Sequence, residues 1–136
     1  MTVFSYFDHD ADIGVIGRGR TLEESFEGAA AGTFAIMADP AQVRAARSVR
    51  IDFEEEDLEL ALVTWLNTLL AEAGTHGLVL GHFRLVRDNS HWQGEAWGEP
   101  WREDLDRGVE VKGATLTMLR VAQGPEGFEA RCVVDV

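Results

Sequence analysis

The chain has 136 residues, the size of one ordinary domain, with 46% hydrophobic and 26% charged residues and no apolar run long enough to span a membrane. Its 24 acidic against 12 basic side chains give a formal charge of −12, which opposes approach to a phosphate backbone and argues against a stand-alone nucleic-acid binder. The opening segment MTVFSYFDHD lacks the basic-then-apolar signature of a secretory signal, so the cytoplasm is the expected compartment, and the single cysteine, Cys132, excludes an internal disulfide.

Residues 1–136 are read as one domain. Two strands are expected first, at residues 3 to 7 and 12 to 16, on either side of an acidic turn. Gly17-Arg18-Gly19-Arg20 then breaks the alternation. Thr21 and Glu24 form a T-x-x-E capping box, opening a helix with Leu22, Phe26, Ala29, Ala30, Thr33, Ile36 and Met37 at helical spacing and an end near Asp39-Pro40. Val49, Ile51 and Phe53 alternate with Arg50, Asp52 and Glu54, the pattern of a half-buried strand. A second helix begins near Asp57, carries Leu58, Ala61, Leu62, Trp65, Leu66, Leu69 and Ala73, and is expected to stop at Gly74.

Beyond residue 77 the helical period disappears. Strands are expected at residues 78 to 87, 92 to 98, 109 to 121 and 128 to 134, with hairpin turns at Asp88-Asn89-Ser90 and Gly124-Pro125-Glu126-Gly127. Cys132 reads as a buried position in the last of them. Residues 99 to 108, EPWREDLDRG, form the long irregular connection and a secondary site candidate. Two helices among about six or seven strands predict a two-layer α+β sandwich, a mostly antiparallel sheet with both helices packed on one face.

The chemistry concentrates in FDHDADIG, residues 7–14, where Asp8, Asp10 and Asp12 occupy every second position with His9 between the first two. Carboxylates this close repel one another unless a cation sits among them, and an oxygen-rich set suits a hard ion such as Ca²⁺ or Mg²⁺. An EF-hand is excluded, because Ile13 and Gly19 stand where that loop needs glycine and glutamate. Alternate residues of an extended strand lie about 6 to 7 Å apart, so a turn or a distant ligand is needed to close a site. Asp135, in the terminal CVVDV, supplies such a ligand if the first and last strands pair.

Other motifs carry less. Gly14, Gly17 and Gly19 precede a helix but match neither G-x-G-x-x-G nor a P-loop, which favours a plain turn. His9, His76, His82 and His91 lack zinc-ligand spacing. Trp92 and Trp97, an odd number of positions apart, point to opposite faces of one strand, so base stacking on both is disfavoured. Lys112 is the sole lysine and lies within VEVKGATLTML; on its own it reads as a solvent-facing strand residue.

Together FDHDADIG, TLEESFEGAAAGTFAIMAD, LVTWLNTLLAE, GVEVKGATLTMLRV and CVVDV resemble the archease family over essentially the whole chain. The resemblance implies a small acidic α+β protein without ligase chemistry of its own. Such a protein serves as a cofactor of the RtcB-type RNA-splicing ligase, promoting guanylylation and multiple turnover in a GTP-dependent reaction. It further implies a divalent metal held by Asp12 and Asp135 with Asp8 nearby, Ca²⁺ being the expected ion and Mg²⁺ or Mn²⁺ the alternatives, and a functional lysine at Lys112. This chain departs from the family pattern in Asp10, where threonine is usual, and in Gly113 and Thr115-Leu116-Thr117, where alanine and Thr-Tyr-His are common. Asp106-Arg107 replaces a His-Pro pair.

Two other readings are compatible with the residues. One is a metal-dependent phosphoester hydrolase using His9 and the Trp92 to Trp101 region; the other is a chaperone-like acidic binding module without a metal.

Overall fold

The computed structural model describes residues 3–136. Strands β1 (Val3–His9) and β2 (Asp12–Gly19) form an antiparallel hairpin, followed by helix α1 (Leu22–Ala35), strand β3 (Arg47–Glu54) and helix α2 (Leu58–His76). Strands β4 (Leu78–Asp88), β5 (His91–Pro100), β6 (Gly113–Ala114), β7 (Arg120–Gly124) and β8 (Gly127–Asp135) complete the chain. The α+β class and the antiparallel pairing agree with the sequence expectation. The eight strands divide into two sheets, however: β1-β2-β8-β6 with β7 also on β8, and β3-β5-β4. Sequence periodicity locates strands but is silent on which of them pair.

Local chemistry accounts for the helix ends. Thr21 caps α1 by accepting from the Glu24 backbone N–H at 3.1 Å, while Glu24 accepts from the Arg20 N–H at 2.9 Å, closing the expected box one residue early. Asp57 caps α2 by accepting from Glu59 and Leu60. The C-terminal stop of α2 is Gly77 rather than Gly74, because Gly77 takes the left-handed conformation, φ 64°, that ends helices. Helix α1 ends at Ala35, short of Asp39-Pro40, and those two residues instead start a single 3₁₀ turn.

Both helices lie against the inner faces of the sheets around one main hydrophobic cluster. Trp65 of α2 is fully buried and donates from Nε1 to the Phe26 carbonyl at 3.0 Å, tying the helices together. Phe26 stacks on Trp92 with centroids 5.1 Å apart, and Trp92 stacks on Phe53 at 5.8 Å. Gly17 is not in a turn, as β2 runs on to Gly19. A Cβ there would lie 2.2 Å from the backbone of Ala29 and Ser25, so its bare Cα is what lets α1 settle on the strand.

The single strand expected over residues 109 to 121 is absent. Residues 108 and 109 follow the end of α1, donating to Met37 and Ile36 carbonyls, and only Gly113–Ala114 pairs with β8 before the chain bulges and resumes as β7. Asn67 of α2 accepts from the Ala114 N–H at 2.8 Å and donates to its carbonyl at 3.2 Å, satisfying the edge of that short strand that faces away from β8. Residues 101 to 112 therefore form a longer irregular segment. It is pinned by Arg102, which reaches Glu99, Asp104 and the Gln42 carbonyl.

Candidate functional site

Strands β2 and β8 pair antiparallel with Ile13 opposite Val134, and one further step in that register sets Asp12 beside Asp135. The C-terminal end of the chain meets the β1–β2 turn there. The Val136 N–H donates to Asp12 Oδ1 at 3.3 Å. On the far side of β8, Gly113 pairs with Asp135, and the Lys112 N–H donates to the Asp135 carbonyl at 2.7 Å. Asp12, Asp135 and Lys112 are thus gathered at one end of the larger sheet, although the expected pairing of first and last strands is corrected: the second strand, β2, lies beside β8, and β1 pairs with β2 alone.

Asp8 is placed differently. It pairs with Ile13, whereas Asp12 pairs with His9, so strand alternation sends Asp8 to the inner face and keeps His9 with Asp12 and Asp135 on the outer one. Asp10 takes φ 52° in the two-residue turn, a conformation that aspartate tolerates well, and its carboxylate is exposed. From the sequence His9 reads as a hydrolase base; the parity of the register, unknown without the turn length, is what brings it beside Asp12.

Among the described residues none of Asp8, Asp12 and Asp135 has an ion-pair partner, and no group of three or more His, Cys, Asp or Glu side chains gathers as a metal cage. Two neighbouring carboxylates without a cation fit a hard ion that fills its remaining positions with backbone carbonyls and water, and do not fit zinc. Lys112 is exposed and also lines a cleft of about 740 Å³ between α2 and residues 107–112, where Arg107 lies 4.0 Å over the Trp101 ring.

The remaining candidates are structural. Gly17 lies in a strand beneath α1 rather than around an open phosphate cradle, since its missing side chain faces helix backbone. Trp92 is fully buried and Trp97 lies on the opposite face of β5. His9 and that tryptophan region lie in different sheets, so the pocket of a hydrolase is not assembled from them. Cys132 is buried, its thiol donates to the Thr115 carbonyl at 3.1 Å, and burial pushes its pKa up to about 11, as befits an inert packing residue.

A separate charged cluster sits at the β4–β5 turn. His91 Nδ1 is 2.7 Å from Glu54, and Nε2 is 2.9 Å from Asp52 at an angle too poor for a linear hydrogen bond. The Asp52 contact first, and then the charges of Asp52 and Glu54, raise the His91 pKa above the ordinary histidine value of about 6.5. A raised folded-state pKa stabilises the protein fully below the unfolded value and loses that contribution as pH rises through the folded one. The stability advantage of the native chain over His91→Gln should therefore shrink from pH 6 to pH 9. Paired urea titrations measure it, and an advantage that grows across that range contradicts the pairing.

The fold and this site define a small acidic α+β protein whose second and last strands meet in a carboxylate pair beside a lone lysine. The Archease protein family (MTH1598/TM1083) matches residues 4–136. The chain belongs to that family. It is 37% identical over 139 residues to the protein archease of Sulfolobus acidocaldarius and 36% identical over 142 residues to that of Thermococcus gammatolerans, each match covering 100% of both chains. The solution structure of Methanobacterium thermoautotrophicum protein 1598 superposes with a TM-score of 0.86 at 34% identity, covering 98% of both chains. No described helix is long and apolar enough to cross a membrane.

Proposed function

We propose that this chain is a protein cofactor, not itself an enzyme, that activates a GTP-dependent RNA-splicing ligase of the RtcB type by promoting its guanylylation and multiple turnover. Membership of the archease family supports the reading, and the single observation that carries it is the in-register meeting of Asp12 and Asp135 beside Lys112. Asp12 and Asp135 would hold a divalent ion, with Ca²⁺ preferred over Mg²⁺ or Mn²⁺ because two carboxylates plus carbonyls and water make a flexible oxygen shell. Asp8, on the other face of the same hairpin end, would act through its charge. A bound ion would supply a positive centre that neutralises phosphate oxygens at the nucleotide-transfer step. Lys112 would bring a second positive group to phosphate as a point charge with three donors. The acidic surface would serve to dock on a basic enzyme and to keep RNA from binding the cofactor itself.

The test is a guanylylation assay of a purified RtcB-type ligase with radiolabelled GTP, with and without this chain, across a Ca²⁺, Mg²⁺ and Mn²⁺ series. Substoichiometric chain should raise the fraction of ligase guanylylated over repeated turnovers. Equal guanylylation with and without it in every metal would end this reading.

A further inference from the structure

Every buried position of α2 is apolar, and among them the half-buried Asn67 commits its whole side-chain amide to one distant residue. Its Oδ1 accepts from the Ala114 N–H at 2.8 Å, and its Nδ2 donates to the Ala114 carbonyl at 3.2 Å. The Thr115 N–H turns to β8, where it donates to the Val133 carbonyl at 3.0 Å, so strand alternation turns Ala114 the other way, toward α2. A carboxamide carries both the donor and the acceptor that Ala114 needs there. An aliphatic side chain carries neither, and a carboxylate lacks the donor.

Strand β6 is only two residues long, yet both of its edges are closed, one by β8 and one by Asn67. Lys112 directly precedes it, exposed and at the end of an irregular segment, with its N–H bonded to the Asp135 carbonyl at 2.7 Å. Asn67 and Lys112 also line the same cleft of about 740 Å³. Val111, 5% exposed and packed with Val15 and Val134, keeps this segment on the sheet, but an apolar contact has no direction. The hydrogen bonds of Asn67 are directional, and they fix how the strand lies against its neighbours. That matters for a group that must meet a phosphate, because a misplacement of about 1 Å costs on the order of 100-fold in rate. We propose that Asn67 is a positioning residue: by closing the outer edge of β6 from α2 it sets Lys112 in place beside Asp12 and Asp135. The proposal rests on the ligase reading above and adds the residue that holds its lysine.

Two measurements test it. The first is residue-resolved amide exchange, by NMR, of the purified chain and of Asn67→Leu, a replacement of similar size without donor or acceptor. The Lys112 amide should exchange at least ~10-fold faster in the variant, while the amides of Val15 and Cys132, paired across β2 and β8, keep native protection. The second is guanylylation of a purified RtcB-type ligase. At saturating chain, Asn67→Leu should lower the stimulated rate by ~10-fold or more and leave the half-saturating concentration within ~2-fold of native, since the lysine is displaced and the rest of the surface is kept. Asn67→Ala, the smaller replacement, carries both measurements if the leucine variant does not fold. Native protection of Lys112 in a folded variant overturns the positioning role, and so does native stimulation by it. Exchange that also quickens at Val15 and Cys132 overturns it in favour of a general structural role. Lys112→Ala that stimulates as the native chain does overturns it as well, because no lysine then needs placing. A native chain that fails to stimulate the ligase overturns the ligase reading and the role of Asn67 in stimulation with it, and the exchange measurement on the chain alone tells that failure from the others.

Discussion

Gly17→Val should destabilise the domain by more than about 3 kcal/mol, beyond the usual range for overpacking. The added Cβ would sit 2.2 Å from Ala29 N and Ser25 O and 2.8 Å from the Gly28 carbonyl carbon, all of them helix backbone rather than the flexible end of a side chain. Relief requires α1 to lift from β2. That opens the contact beside Val15 and Phe26, both fully buried. Against a typical total of roughly 5 to 15 kcal/mol, a loss of this size leaves a marginal protein. Gly74→Ala is the matched control, because nothing lies within 4 Å of a Cβ at that position in α2. It should raise stability by about 0.5 to 1 kcal/mol through helix propensity alone. Urea unfolding of the three chains measures both, and a Gly17→Val protein within 1 kcal/mol of native would refute the close helix–strand approach.

Asp12→Asn and Asp135→Asn should each abolish metal-dependent stabilisation and, with it, ligase stimulation, while leaving the metal-free fold intact or slightly more stable. The sign follows from the site. With no cation partner, neighbouring carboxylates repel, so neutralising one relieves the metal-free protein, whereas the loss of a ligand removes the ion's binding energy. For the native chain, calcium at about a hundred times its dissociation constant should add about 2.7 kcal/mol, roughly a 10 °C rise in melting temperature. Each variant should show less than about a fifth of that rise at the same concentration. Differential scanning fluorimetry with and without chelator, followed by the guanylylation assay on the same samples, reads both effects. Variants that keep the calcium shift would dismiss these acids as ligands. Variants that lose the shift yet stimulate normally would separate the metal from the activity.

How far the site was legible depended on which parts of it are local. The capping box at Thr21 and Glu24 and the turns at Asn89-Ser90 and Pro125-Glu126 were readable because each is a backbone conformation that a few adjacent side chains satisfy. The glycines of β2 were misread as a turn. Gly17 and Gly19 are small because a helix arrives on them from residues 24 to 29, and Gly14 because the Phe7 ring lies across it, neither of which a window on β2 contains. Residues 109 to 121 have a strand-like pattern yet form little strand: Gly108 and Val109 bond to the carbonyls of Met37 and Ile36 at the end of α1, and that element lies outside the segment. Asp8 and Asp12 look equivalent along the chain and lie on opposite faces, since a two-residue turn sets the parity of the pairing.

By itself the amino-acid sequence determined the α+β class, the two helices with their N-terminal caps, most strand positions, the acidic surface and the candidate acids, all consequences of local periodicity, capping and charge. Only the tertiary structure decided that the strands form two sheets, that Asp12 and not Asp8 shares a face with Asp135, and that Asn67 of α2 closes the outer edge of the short strand next to Lys112. Register and strand order are set by burial summed over both helices and both sheets, and no segment of the chain carries that sum alone.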